Sequence, residues 1–351
     1  MPQAVVMAGG QGERFWPLTH KQFPKYRLRF KEKTSLLAAT ILRLRSVYAK
    51  NQLHVVTTRE HAPLIKKELP GFPVANLILE PTRKNTAAAI LLASARIAHR
   101  YGPEEVVSFF PADHLIENIP YFKRTIQGAV ILARQKRMLV TVGIQPTFPA
   151  TGYGYIRLGK KIPGFAEAFQ ADRFVEKPDR SSAIRYLKEK KFLWNGGIFT
   201  WRSGVLIDTL KKINPSFARK FNLKDVEGSY RKLPNISVDY AVLEKASNIA
   251  VYRTAMDWCD LGSWDMFYDR SEKDSQKNCR TGVRLVCKDT KGSLVVSECS
   301  DRPLVVLGVS DLIVVQTKRG TLICQRSRSE EAALLAKQLE ALSSRTRHFG
   351  G

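Results

Sequence analysis

Residues Ala8 to Lys25 read AGGQGERFWPLTHKQFPK and directly follow the apolar run Ala4-Val5-Val6-Met7. A short β-branched run opening into glycines starts a strand-to-loop unit, and the kind of loop decides the fold. A dinucleotide fingerprint needs Gly-x-Gly-x-x-Gly opening a helix, but Phe15 occupies the third glycine position. A Walker A loop needs Gly-Lys-Ser/Thr after four intervening residues, which is absent. The loop instead holds Gly9, Gly10, Gly12 and Arg14, then Trp16-Pro17, which disfavours an immediate helix, and finally Pro24-Lys25. Glycines let backbone N–H groups approach phosphate oxygens closely. Arg14 can clamp a pyrophosphate in bidentate fashion, and Lys25 supplies a point charge. The same residues also suit a tight turn with incidental surface cations.

Further along, apolar runs alternate with helix-like segments. Leu53–Thr57 precedes a helix around Glu60 to Leu69, and Asn76–Glu80 precedes one from Thr86 to Arg100. Val106–Phe110 precedes another near Tyr121 to Arg134, and Met138–Ile144 closes the series. This alternation predicts an α/β fold, a doubly wound, mostly parallel sheet. Ligands of such sheets bind beyond the carboxyl ends of the strands, where Gly9, Glu80 and Pro111-Ala112-Asp113 should gather. From Gly152 onward the pattern reads as a mixed β and helix lid on the same site. Beyond the polar segment Ser271 to Lys277, the runs VRLVC, SLVV, PLVVLGV, DLIVVQT and TLICQ predict a small C-terminal β domain ending in a helix from Glu330 to Leu342. The expected domains are therefore 1–270 and 278–351.

Composition narrows the function classes. The hydrophobic fraction of 44% excludes a disordered chain. No window reaches the length of a membrane span, and the N-terminus lacks the basic start and apolar core of a secretory signal, so the expected location is cytoplasmic. Five cysteines with no Cys-x-x-Cys pair argue against a disulfide framework and a zinc site. The net charge of +25 raises nucleic acid, anionic membrane or acidic small substrates as partners. The basic residues are spread out, with local density at His20 to Lys33 and Lys318 to Arg328, and no nucleic-acid motif accompanies them. No specific nucleic acid is expected.

The loop as a whole resembles the signature of sugar-1-phosphate nucleotidylyltransferases. Glu80-Pro81-Thr82-Arg83-Lys84-Asn85-Thr86, Pro111-Ala112-Asp113-His114, Gly152-Tyr153-Gly154-Tyr155, Phe174-Val175-Glu176-Lys177-Pro178, Trp194-Asn195-Gly196-Gly197-Ile198-Phe199 and Asp257-Trp258-Cys259-Asp260-Leu261-Gly262-Ser263-Trp264 are similar, in order, to the mannose-1-phosphate guanylyltransferase branch. The C-terminal VLGVSDLIVVQT looks like that branch's closing domain.

The resemblance implies a GT-A/Rossmann-like domain that joins GTP to mannose 1-phosphate, giving GDP-mannose and pyrophosphate for polysaccharide precursors. A sugar-phosphate oxygen attacks the α-phosphorus in line, so the task is alignment and charge neutralisation, with no covalent nucleophile. Asp113 and Asp260 match the family's Mg²⁺ positions, each alternatively an ordinary turn or cap. Lys177 falls to the sugar phosphate and Glu176 to the sugar hydroxyls; Gly154, Asn195 and the backbone of Gly196 line the sugar pocket. Arg14 and Lys25 complete the catalytic set. Glu80 can accept from guanine N1–H and N2–H₂, or simply close a strand. Asn85 and Thr86 are nucleotide-loop candidates that serve equally well as a helix cap. Trp194 reads as core, and His114 as a supporting residue.

Two departures stand out. The family loop commonly continues Pro-Lys-Gln, whereas Lys25 is followed by Tyr26, Arg27, Leu28, Arg29, Phe30 and Lys31. Gly196 stands where Ser or Ala is more usual, which should loosen sugar discrimination. The alternatives are another hexose 1-phosphate or nucleotide, a non-catalytic nucleotide-sugar binder, and a nucleic-acid binder resting on charge alone. A homo-oligomer through the C-terminal β domain is expected. The phosphomannose isomerase domain of some family members is not expected in a chain of this length.

Overall fold

The computed structural model describes residues 1–10, 12–30 and 34–346, with side chains to residue 339. Lys31, in the basic stretch after Lys25, lies outside the described residues. The chain forms two compact units, each assembled from separated segments. The first comprises Met1–Gly9, Ala38–Ala112 and Ile116–Trp258; the second comprises Gly10–Leu37, Asp113–Leu115 and Cys259–Gly351.

The strands up to Trp258 are β1 (Gln3–Met7), β2 (Leu53–Thr58), β3 (Leu77–Glu80), β4 (Val106–Pro111), the two-residue β5 (Leu115–Ile116), β6 (Leu139–Ile144), β7 (Tyr155–Lys161), β8 (Ala168–Val175), β9 (Phe192–Arg202) and β10 (Ile249–Thr254). The helices begin with α1 (Leu36–Leu44), α2 (Ala62–Glu68), α3 (Thr86–Tyr101) and α4 (Ile119–Gln135), and continue with α5 (Arg180–Glu189), α6 (Ser203–Ile213), α7 (Pro215–Lys220) and α8 (Val226–Arg231).

In the first unit nine strands make one sheet in the order β3-β2-β1-β4-β9-β6-β10-β8-β7. The strands β3, β2, β1 and β4 run parallel, as their alternation with helices requires. Val5, Val55, Val56, Val107 and Phe109 are buried, the continuous apolar reading of a strand covered on both faces. The second half is not a lid. β9 runs antiparallel between β4 and β6, so the segment carrying Asn195 is woven into the sheet. Its run from Phe192 to Trp201 is almost wholly buried, but which strands it would pair with is a long-range property that local pattern does not carry.

Helix α3 begins where the Asn85 side chain accepts from Thr86 N at 2.8 Å and ends at Gly102, whose φ of 94° a side chain would resist. Its buried face is alanine-rich, with Ala87, Ala88 and Ala93 beside Ile90 and Leu92, which lets the helix approach the sheet closely. After α8, residues Asp239–Leu243 form a single π-turn, a local irregularity that recurs at functional sites.

The second unit is built on β12 (Cys279–Gly282), β13 (Leu285–Lys288), β14 (Leu294–Ser297), β15 (Leu304–Leu307), β16 (Leu312–Thr317) and β17 (Gly320–Gln325), together with the preceding β11 (Trp258–Cys259), α9 (Trp264–Arg270) and the terminal α10 (Ala332–Thr346). β12, β14 and β16 form a parallel ladder to which β17 adds antiparallel, while β13 and β15 form a second parallel ladder. β14 is buried on both faces. Val295 packs with Val306 and Val314, while Leu294 and Val296 join Ile313, Val315, Phe15, Leu28 and Trp264 in the unit's main core. Phe15 and Trp264 meet edge to face at 4.9 Å, both fully buried. Each large apolar side chain removed from water in this way contributes roughly 2–3 kcal/mol.

Candidate active site

The charged part of the phosphate loop lies in the second unit. Gly12 turns the chain at φ 73°, and a Cβ there would sit 2.3 Å from Lys25 Cβ, so only glycine fits. That close approach seats Lys25, which is buried. Its ammonium lies 2.8 Å from Asp113 Oδ2 and donates to the Asp260 carbonyl at 2.6 Å. Burial opposes ionisation of Asp113, but the Lys25 ammonium, helped by His114, outweighs it and holds the carboxyl below its ordinary value.

Asp260 opens a tight turn in which its Oδ1 accepts from Gly262 N at 3.0 Å. The next residue, Leu261, is fully buried at φ 46°. A leucine in the left-handed region costs energy and persists only where its surroundings impose it, a pattern frequent at ligand sites. Arg14 reaches the Gly262 carbonyl at 3.4 Å, which ties the guanidinium to the same turn. Four of the expected catalytic residues, Arg14, Lys25, Asp113 and Asp260, therefore meet in one unit, although Asp113 and Asp260 are far apart in sequence. Asp113 and Asp260 each bring a carboxylate to this unit, and a hard divalent cation needs only one or two protein carboxylates when phosphates complete its shell. Among the described residues no cluster of three or more His, Cys, Asp or Glu is available to a metal. A Cβ at Gly10 would meet nothing within 4 Å, so that backbone is open to approach.

The first unit carries two further groups of candidates. Met7 of β1 partners Pro111 of β4, and a Cβ on Gly9 would lie 3.8 Å from Glu80 Oε1, so the strand ends converge as the fold requires. Glu80 closes β3 and is buried, and its Oε2 accepts a hydrogen bond from the Tyr230 phenol. Burial pushes its carboxyl up to about 7, against the opposing pull of the Tyr230 hydrogen bond and the Arg83 guanidinium. Asn85 and Thr86 are engaged in local structure: the Asn85 carboxamide caps α3, and the Thr86 hydroxyl accepts from Val238 N at 2.9 Å. Lys84 donates to the Leu233 carbonyl at 2.7 Å.

The second group surrounds Gly154. A Cβ there would fall 2.6 Å from Glu176 Oε2 and 3.3 Å from Asn195 Cβ, which brings three expected sugar residues together. Lys177 sits at φ 47° and its ammonium pairs with Glu176. Asn195 is held on every side: Thr141 Oγ1 donates to its Oδ1 at 2.9 Å, Gly197 N donates to the same oxygen at 3.2 Å, and its Nδ2 donates to Asp239 Oδ1 at 2.9 Å. Trp194 is core, packed edge-on against Phe148 and Tyr153 at 4.8 and 5.1 Å. Gly196 faces the other side of the strand, where a Cβ would meet the Val142 carbonyl at 3.0 Å and Ile144 at 3.2 Å. Its missing side chain therefore concerns sheet packing, and looser sugar discrimination does not follow from it. The strand's period of two separates it from Asn195.

Tyr230 and Asp239 were not anticipated. Tyr230 lies in a helical stretch with no motif. Asp239 stands in Val238-Asp239-Tyr240-Ala241, where a lone acid entering an apolar run was the available signal.

Comparison with known proteins agrees with this geometry. Residues 3–277 match the nucleotidyl transferase family, and residues 283–339 match the MannoseP isomerase/GMP-like beta-helix domain. A mannose-1-phosphate guanylyltransferase of Escherichia coli is 35% identical over 93% of this chain and 71% of its own length. The xanthan biosynthesis protein XanB of Xanthomonas campestris is 33% identical over 96% of this chain and 73% of its own. A crystal structure from Thermus thermophilus, described as a mannose-1-phosphate geranyltransferase, superposes with a TM-score of 0.85 at 31% identity, covering 97% of this chain and 99% of that one. On these matches the chain belongs to the nucleotidyl transferase family, in its mannose-1-phosphate guanylyltransferase branch.

Proposed function

We propose that this protein transfers GMP from GTP to mannose 1-phosphate, releasing pyrophosphate and forming GDP-mannose. The observation that carries this reading is the Lys25 ammonium against Asp113 and the Asp260 carbonyl, beneath a glycine loop anchored by Gly12. It is an arrangement of alternating charge suited to a polyphosphate with its cation, and the sugar phosphate, already ionised, supplies the attacking oxygen. Arg14 and Lys25 neutralise the phosphates, the backbone of Gly9 and the open backbone of Gly10 receive them, and Glu80 accepts from guanine. Glu176, Asn195, Gly154 and the Gly196 backbone bind the hexose, while Lys177 takes its phosphate and directs an oxygen at the α-phosphorus. Asp113 and Asp260 would hold Mg²⁺, which when bound withdraws charge from the phosphoryl oxygens.

Residues 1–270 form the proposed transferase segment and 278–351 the appended β segment. The apolar side chains of Val286, Val305 and Leu307, exposed on the β13–β15 ladder, support a homo-oligomer joined through that segment. GTP and mannose 1-phosphate are metabolites of the cytoplasm, our proposed location, and no helix among the described residues is long and apolar enough to cross a membrane.

The test is pyrophosphate release with Mg²⁺ from GTP, ATP, UTP, CTP and dTTP against mannose, glucose and N-acetylglucosamine 1-phosphates. Release confined to GTP with mannose 1-phosphate is expected. Release with another pair would keep the chemistry and change the specificity, and none with any pair would refute transfer.

A further inference from the structure

Asn195 is the most completely restrained polar side chain of the Gly154 group. Its Oδ1 already accepts from Thr141 and from Gly197 N, and one Nδ2 proton is given to Asp239. A carboxamide oxygen has two lone pairs, so Asn195 has no acceptor left and can offer a hexose only its second N–H. Hexose hydroxyls both donate and accept, and a pocket that reads them needs acceptors.

Asp239 supplies that capacity. It sits at the first position of the π-turn and is half-buried, so it remains reachable. A carboxylate has about four acceptor positions; the bond from Asn195, the backbone N–H of Asp239 itself and the Ser237 hydroxyl use three, which leaves one. Burial, and then the Glu176 carboxylate, push its carboxyl up to about 6, with its own backbone N–H, Lys177 and the Ser237 hydroxyl pulling the other way. The two acids therefore sense one another beside a single ammonium, as two acceptors lining one polar pocket would.

We infer that Asp239 is a sugar-contacting residue: one carboxylate oxygen fixes Asn195 as a donor, and the remaining capacity accepts a hydroxyl proton of the hexose 1-phosphate beside Glu176. The inference rests on the hexose 1-phosphate reading of the Gly154 group. Asp239 and Asn195 then form a matched acceptor and donor suited to a pair of neighbouring hydroxyls, so the spacing and orientation of those hydroxyls are read at this position.

Steady-state kinetics of the full-length protein test it, with Asp239→Asn and Asp239→Ser compared under saturating Mg²⁺. Both variants are expected to raise KM for mannose 1-phosphate at least tenfold, to leave KM for GTP within about twofold, and to narrow the preference for mannose over glucose 1-phosphate. If KM for mannose 1-phosphate and that preference stay as in the unaltered protein, the inference is overturned. It is equally overturned if the two KM values rise together with a lowered melting temperature, since that marks a purely structural residue. Lack of turnover of this pair by the unaltered protein is a different result, which removes the hexose reading and the inference with it.

Discussion

At the scale of single residues, Glu80 and Tyr230 make the most specific case. In its proposed role Glu80 must be ionised to accept two guanine donors, and its carboxyl, at about 7, stands where small changes of pH matter. Below that value it is increasingly protonated and loses acceptor capacity, so KM for GTP should climb as pH falls from 8 to 6. The Tyr230 phenol stabilises the charged form. Tyr230→Phe should therefore move the climb to higher pH, because removing that hydrogen bond raises the Glu80 value further. An unchanged pH profile in the variant would detach Tyr230 from base recognition. Asp113→Asn and Asp260→Asn should each abolish pyrophosphate release while preserving the circular dichroism spectrum; near-normal rates in either would remove that residue from the proposed cation site. The two aspartates were legible because each stands inside a dense motif. Tyr230 and Asp239 were not, because what singles them out is a hydrogen bond to a partner 150 and 44 residues away.

Among the elements, legibility followed the range of the forces involved. β2, predicted as Leu53–Thr57, extends to Thr58, and α3, predicted as Thr86 to Arg100, extends to Tyr101, because periodicity and an Asn cap act over a few residues. The antiparallel insertion of β9 was invisible, since strand partners are chosen by the whole sheet. Gly12 is the position where backbone geometry and chemistry coincide. Gly12→Ala should cost about 1–2 kcal/mol for the left-handed backbone alone and displace Lys25 as well. We expect at least a tenfold loss of kcat with a lowered melting temperature, and a variant with normal kcat would separate the turn from the Lys25 position. Asn85→Ala, by contrast, should cost about 1 kcal/mol of stability through loss of the cap, read from denaturant melts.

For the molecule as a whole, the C-terminal β segment was legible as a set of short strands, but its parallel ladders were not. Successive partners such as Cys279, Leu294 and Ile313 recur at intervals too irregular to reveal coiling in a single sequence. If this segment joins copies of the chain, Val305→Glu should lower the mass found by light scattering, and an unchanged mass would move the interface elsewhere. The strongly basic chain also predicts that KM for GTP rises with ionic strength, as attraction of the anionic nucleotide is screened.

The unit that holds Arg14, Lys25, Asp113 and Asp260 is assembled from three stretches, the first beginning at Gly10 and the last at Cys259. Phe15 and Leu28 find their core partners at Trp264, Leu294 and Ile313, so the phosphate loop is made early in synthesis and must wait for almost all of the chain before it has anything to fold against. A ribosome that stopped near residue 258 would release a protein with all nine strands of the first unit's sheet and the Glu176 and Asp239 carboxylates, yet with a phosphate loop that lacked Trp264, Leu294 and Ile313 as packing partners. If the loop carries the reaction as proposed, catalytic competence is reserved for molecules translated past those partners.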